Sequence, residues 1–218
     1  MTPSHRGIEA ARAGAPLLRA KAAMILIHGR GATSESILEL GQAFAQPDIA
    51  YLAPSAAGNV WYPYSFLAPI EQNEPWLSSA LEVIAELVAA LAEDGMPAER
   101  VVIGGFSQGA CLASEFVARN ARRYGGVIGF SGGVIGPPGA PRNHTGSLDG
   151  TPVFLGCSDI DAHIPLARVQ ETTAILRALG GDVTERIYRG MGHTVNDDEI
   201  AHARAILAGV QQGPAASR

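Results

Sequence analysis

Short apolar runs alternating with helix-length amphipathic stretches constrain this chain more than any other feature. The runs cover residues 23–27, 50–53, 101–105, 126–130 and 152–156, and each ends in or runs into Gly, Pro, Ser or His. Unbroken apolarity over so few residues marks a strand buried on both faces, the habit of parallel sheets. A sixth run, residues 183–188, alternates instead and reads as an edge strand. Between the runs, residues 34–46, 79–93, 108–122, 166–179 and 197–207 carry apolar side chains at helical spacing. Ile37, Leu38, Gly41 and Phe44 share one face, with Ser34 as the expected N-cap. Leu179-Gly180-Gly181 is a helix stop. Strand–helix alternation with short connections implies an α/β fold, a doubly wound, mostly parallel sheet with helices on both faces. Ligands then bind at the carboxyl ends of the strands.

The chain is expected to form one domain, residues 1–218, with a core of about residues 22–208. Residues 1–15 and 211–218 read as peripheral tails, and the Pro/Gly-rich stretch 136–150 as a surface loop. The first twenty residues hold His5, Arg6, Glu9, Arg12 and Arg19 with no apolar segment between them, unlike a secretory leader. Residues 80–92 are interrupted by Glu82 and Glu86 and are too short to span a bilayer. Sixteen Lys and Arg against 21 Asp and Glu give a net charge of −5, and Lys21 is the single lysine. Nucleic-acid surfaces and polybasic membrane anchors need clustered cations, so neither partner is expected. Cys111 and Cys157 are too few for a disulfide framework, and the expected setting is the cytoplasm.

Gly105-Phe106-Ser107-Gln108-Gly109 matches G-x-S-x-G, a sharp strand-to-helix turn that lifts a serine hydroxyl above the sheet. The pattern alone is not specific, because Gly129-Phe130-Ser131-Gly132-Gly133 also matches. Context separates them. Ser107 lies between a strand and a good helix, whereas Ser131 runs into Gly133-Val134-Ile135-Gly136-Pro137-Pro138, which cannot be helical. Ser107 is the candidate nucleophile, and Ser131 a strand-end residue nearby. A serine needs a base oriented by a third group, in the chain order Ser, acid, His. The loop after the last strand carries Gly192-His193, and His193 is the candidate base. The loop before it offers Asp159 and Asp161, and spacing does not choose between them. His163 in that loop is a candidate lining residue. Backbone N–H groups of Gln108 and of Arg30, in His28-Gly29-Arg30-Gly31, are candidate oxyanion donors.

Taken together, His28-Gly29-Arg30-Gly31, Gly105-Phe106-Ser107-Gln108-Gly109, Asp161 with Pro165, and Gly192-His193 resemble the phospholipase/carboxylesterase branch of the α/β-hydrolases, which includes acyl-protein thioesterases. In that branch the acid stands four residues before a loop proline. The resemblance therefore points to Asp161 rather than Asp159. It also implies serine carboxylesterase chemistry through an acyl-enzyme, without metal or cofactor, and no large cap domain. Thioesterase and lysophospholipase activity use the same triad. Two positions depart from the pattern: Arg30 replaces an apolar residue, and Ala162 replaces a proline. With no cap, the expected substrate is a small or medium ester. Trp61, Tyr62 and Phe66 belong to an aromatic, Pro-rich segment after the second strand and are expected to wall the substrate pocket. The competing reading has them packing the loop onto the body or forming a homodimer contact.

Overall fold

The computed structural model describes residues 4–212. Its frame is a seven-stranded sheet in the order β1-β3-β2-β4-β5-β6-β7. Here β1 is Ala11–Gly14, β2 Ala22–Ile27, β3 Ile49–Ala53, β4 Val101–Phe106, β5 Gly126–Phe130, β6 Pro152–Ser158 and β7 Asp182–Tyr188. All neighbours are parallel except β1, which runs antiparallel to β3. The helices are α1 Ser34–Ala43, α2 Ile70–Asn73, α3 Trp76–Glu93, α4 Gln108–Arg119, α5 Leu166–Ala178 and α6 Asp197–Gln212.

The alternation of β2 shows why both faces are covered. Ala23, Ile25 and Ile27 enter one core with Leu77 and Ile84 of α3, Leu112 and Phe116 of α4, and Val169 and Leu176 of α5. Ala22, Met24 and Leu26 enter the other with Ile37 and Leu38 of α1 and Ile200 and Leu207 of α6. Successive strand side chains point to opposite faces, so a strand between two helix layers must be apolar throughout. At the edge, β7 is only intermittently buried, matching its alternating sequence.

Several boundaries differ from the sequence reading: α1 and α4 end three residues early, and α6 runs on to Gln212, into the expected tail. Residues 11–14, expected in a peripheral tail, form the antiparallel edge strand, and four residues of mixed polarity carry too little period to show it. The expectations for residues 1–3 and 213–218 lie outside the described residues. The N-cap of α1 is Thr33, not Ser34. Thr33 Oγ1 accepts from the Ser36 N–H at 3.2 Å and Ser36 Oγ accepts from the Thr33 N–H at 3.0 Å, a reciprocal capping box. And α3 begins at Trp76, directly after Pro75.

The Leu179-Gly180-Gly181 stop closes α5 with a Schellman pair: Gly181 N–H donates to Leu176 O and Gly180 N–H to Arg177 O, each at 2.9 Å. Gly180 has φ +81°, and a Cβ there would stand 3.1 Å from Ser147 Oγ. Gly180→Ala is expected to cost about 1–2 kcal/mol, from left-handed backbone plus crowding. Urea denaturation of the two proteins measures it, and an unchanged midpoint contradicts the account.

Candidate active site

The carboxyl end of β4 passes directly into α4 through Ser107, whose φ of 55° and ψ of −118° lie outside the comfortable regions for a side chain. Such a backbone costs on the order of 1–3 kcal/mol and persists where its surroundings over-determine it. They do so here. Ser107 N–H donates to Phe130 O at 2.9 Å, and Ser107 O receives the Cys111 N–H at 3.0 Å. The flanking glycines are required by space. A Cβ on Gly109 would collide with the Ile27 carbonyl, and one on Gly105 would lie 2.7 Å from the Gly109 carbonyl carbon. The second motif diverges at this point. Ser131 also has positive φ (49°), but no helix follows it and its hydroxyl is wholly buried. Only Ser107 reaches the cavity described below.

Two loops bring Asp161 and His193 together. Asp161 follows β6; its Oδ1 accepts the N–H groups of His163 (2.8 Å) and Ile164 (3.0 Å), which fixes the carboxylate. Its Oδ2 lies 2.7 Å from His193 Nδ1. Burial raises the Asp161 pKa, but hydrogen bonds from His193 and those two backbone groups outweigh it and hold the carboxyl below its ordinary value. An ionised Asp161 can only accept, so Nδ1 carries the proton and Nε2 is the imidazole's free basic nitrogen. Asp159 has different work: its Oδ1 accepts the Gly190 N–H at 2.9 Å, pinning the start of the His193 loop. Ser158 completes that anchoring, its hydroxyl donating to Met191 O. His163 stands edge-on to His193, with ring centroids 4.8 Å apart.

Ser107 and His193 open onto one cavity of about 400 Å³, lined also by Arg30, Tyr62, Phe66 and His163. Among the described residues, the N–H groups of Arg30 and Gln108 have no protein acceptor. Two such donors beside a serine suit a developing oxyanion. A larger groove, about 640 Å³, includes Gly125, Pro152 and Asp182 at the amino ends of the strands, remote from Ser107. His202 lines it and stacks on Phe154 with centroids 4.7 Å apart, so it is more enclosed than a solvated helix histidine.

The aromatic segment is clamped onto the elbow. Gln108 Oε1 accepts the Trp61 N–H at 3.0 Å and its Nε2 donates to Tyr62 O at 2.9 Å. The Arg30 guanidinium donates to the carbonyls of Tyr62, Pro63 and Tyr64 at 2.8–3.0 Å. Tyr62 and Phe66 line the cavity. Trp61 does not: it is fully buried, its indole N–H donates to His28 O at 2.9 Å, and its ring packs between His28 and His5. The correction has a simple cause, since a tryptophan with a buried acceptor for its N–H is more stable as a strut than as a wet wall. Trp61, Tyr62 and Phe66 are covered by their own chain. Cys111 borders the cavity as a protonated thiol, its pKa pushed up to about 12 by burial. Among the described residues no group of three or more His, Cys, Asp or Glu is placed to hold a metal.

The model of the phospholipase/carboxylesterase family matches residues 9–210. The chain belongs to that family. It is a serine hydrolase with the α/β-hydrolase fold, and among the described residues no large cap is inserted. A phospholipase/carboxylesterase from Dyadobacter fermentans is 42% identical and superposes with a TM-score of 0.90, covering 95% of this chain and 99% of that one. Esterase PE8 is 26% identical with a TM-score of 0.77, over 93% and 99% of the two chains. Acyl-protein thioesterase 1 of Debaryomyces hansenii is 27% identical, covering 90% of this chain and 94% of its own. The family match begins ahead of β1, in keeping with that strand's place in the sheet.

Several site residues escaped sequence reasoning. His5 and His28 are buried. His28 Nε2 accepts the Ala56 N–H at 3.1 Å, and His5 Nε2 lies 2.8 Å from Trp61 O; both brace the aromatic segment. No local pattern marks His5, whereas His28 stands in the His28-Gly29-Arg30-Gly31 motif, whose sequence reading concerns backbone donors and not the imidazole. Glu199 did carry a signal, the spacing Asn196-x-x-Glu199 at the start of α6. Asn196 and Glu199 form a reciprocal capping box at 2.9 and 3.0 Å, while Glu199 Oε1 is buried without a partner. Burial pushes the Glu199 pKa from 4.5 up to about 7.

The folded protein therefore binds a proton at Glu199 that the unfolded chain releases. This contribution is complete below about pH 4.5 and lost as the pH rises through about 7, up to about 3 kcal/mol in all. Glu199→Gln is expected to gain stability relative to the parent at pH 8 and little at pH 5, by denaturation at both pH values. A variant whose stability falls with pH as steeply as the parent's refutes this.

Proposed function

We propose that this protein is a carboxylesterase acting on small or medium carboxylic esters, with Ser107, His193 and Asp161 as a catalytic triad. The observation that carries the proposal is that His193, held 2.7 Å from the buried Asp161, opens onto the same cavity as the strained Ser107. Ser107 Oγ attacks the ester carbonyl while His193 Nε2 takes its proton. Asp161 holds the tautomer and stabilises the imidazolium that forms. The N–H groups of Gln108 and Arg30 bind the oxyanion. His193 then protonates the leaving alkoxide and activates the water that resolves the acyl-enzyme. The triad needs no metal and no cofactor. The two thiols, free and buried, suit a reducing compartment such as the cytoplasm. No helix among the described residues is long and apolar enough to cross a membrane, which fits small-molecule esters as substrates.

A second reading, thioesterase or lysophospholipase activity through the same residues, is favoured by the likeness to acyl-protein thioesterase 1 over most of both chains. Acyl-length profiles of matched oxyesters and thioesters separate the two.

Ser107→Ala is expected to lower 4-nitrophenyl ester hydrolysis by at least about 10³-fold with the fold intact, and Asp161→Asn by about 10²–10⁴-fold. A fluorophosphonate probe should label the parent at Ser107 and spare Ser107→Ala. Full turnover in Ser107→Ala removes the assignment, and an unlabelled parent would instead indicate a non-catalytic binding module on a hydrolase scaffold.

A further inference from the structure

The cavity differs in charge from the chain that builds it. The whole sequence carries an excess of acid, 21 Asp and Glu against 16 Lys and Arg. Yet no Asp or Glu lines the cavity, whose charged side chain is Arg30, with the ionisable His163 and His193 beside it. The nearby carboxylates are buried and committed elsewhere: Asp161 to His193 and two backbone N–H groups, and Glu115, behind Tyr62 and Cys111, to Arg119 and the Ile135 N–H.

Arg30 also differs from an ordinary loop arginine. Three of its contacts, to the carbonyls of Tyr62, Pro63 and Tyr64, hold it in one orientation over the Tyr62 ring, 5.9 Å from the centroid. Carbonyls orient a guanidinium without neutralising it. Among the described residues, no carboxylate lies within ion-pair distance of Arg30. A guanidinium has five N–H donors, so Nε–H and one Nη1–H are still available. The cation is preorganised, so binding an anion costs it little further order.

We propose that Arg30 selects esters whose acyl chain ends in a carboxylate, such as monoesters of short dicarboxylic acids. The inference rests on the esterase reading above. The charge is assigned to the acyl part because Arg30 belongs to the oxyanion loop and the aromatic wall, whereas the leaving alcohol must depart past His193, which is flanked by Phe106 and His163. The acyl chain lies along Tyr62 and Phe66, and its terminal carboxylate accepts from one of the uncommitted guanidinium N–H groups.

The test compares mono-4-nitrophenyl adipate with 4-nitrophenyl hexanoate, which differ only in a terminal carboxylate for a methyl. In the parent enzyme the ratio of kcat/KM, adipate over hexanoate, is expected to exceed one, and to fall by about 5–10-fold in Arg30→Leu and with rising salt. The ratio matters because losing the Arg30 clamp slows both esters alike. A parent ratio below one, or a ratio that Arg30→Leu leaves unchanged, overturns the proposal. The salt series on the parent reads the same charge without any variant, and a salt-independent ratio also overturns it. Failure of the esterase reading looks different: neither ester is hydrolysed and the fluorophosphonate probe does not label Ser107.

Discussion

The site depends on one close approach of backbone to backbone. At Gly109 there is no room for a Cβ beside the carbonyls of Ile27 and His28, so the start of α4 lies directly on the end of β2. Protein interiors are packed too densely for even one added carbon to be absorbed there at no cost. Two consequences follow from this contact. The chain must reverse from strand to helix within a single residue, which forces Ser107 to a positive φ and lifts it out of the sheet. The loop leaving β2 is brought against the elbow, so the Arg30 and Gln108 amides come to the same cavity although they are far apart in sequence.

A layer of polar side chains then makes the cavity rigid. Gln108, Arg30, His28 and His5 together bind the segment from Ala56 to Tyr64 mainly through its backbone, and Asn73 Oδ1 accepts the Tyr64 N–H at 2.9 Å. A loop without regular structure must satisfy its backbone groups somewhere, and here side chains of the site do so. The wall of the cavity and the loop leaving β2 are therefore one mechanical unit. On the other side of Ser107, Asp159 and Ser158 hold the loop that carries His193, so Asp161 meets an imidazole already placed. Preorganised groups of this kind need no rearrangement as charge develops.

The central strands were legible because burial on both faces requires unbroken apolar runs, a local and strong pattern. Ser107 was legible by context rather than by motif, since Ser131 matches the same five-residue pattern. Among local features, what separates them is the helix that one side permits and Pro137-Pro138 forbids on the other. The strand β1 was not legible, because four residues whose burial alternates only between half-buried and exposed look like any surface segment until β3 supplies the partner. Trp61 was misplaced for a related reason. Aromatic residues in a Pro-rich loop look alike in sequence whether they face a cavity or a strut, and the difference lies in the His28 carbonyl that receives the indole.

By itself, the sequence determined the α/β alternation, the position of the elbow and the chain order of Ser107, Asp161 and His193. These rest on local periodicity, on chain reversal and on residue chemistry, all of which are written within a few positions. The tertiary structure set Asp161 beside His193 and Asp159 on the Gly190 N–H, turned Trp61 inward, joined Arg30 and Gln108 to the aromatic segment and, among the described residues, left Arg30 without a carboxylate partner. Those outcomes depend on which carbonyl or carboxylate arrives within about 3 Å of a given donor. Contacts between residues tens of positions apart are set by how the layers pack, and no local pattern encodes them.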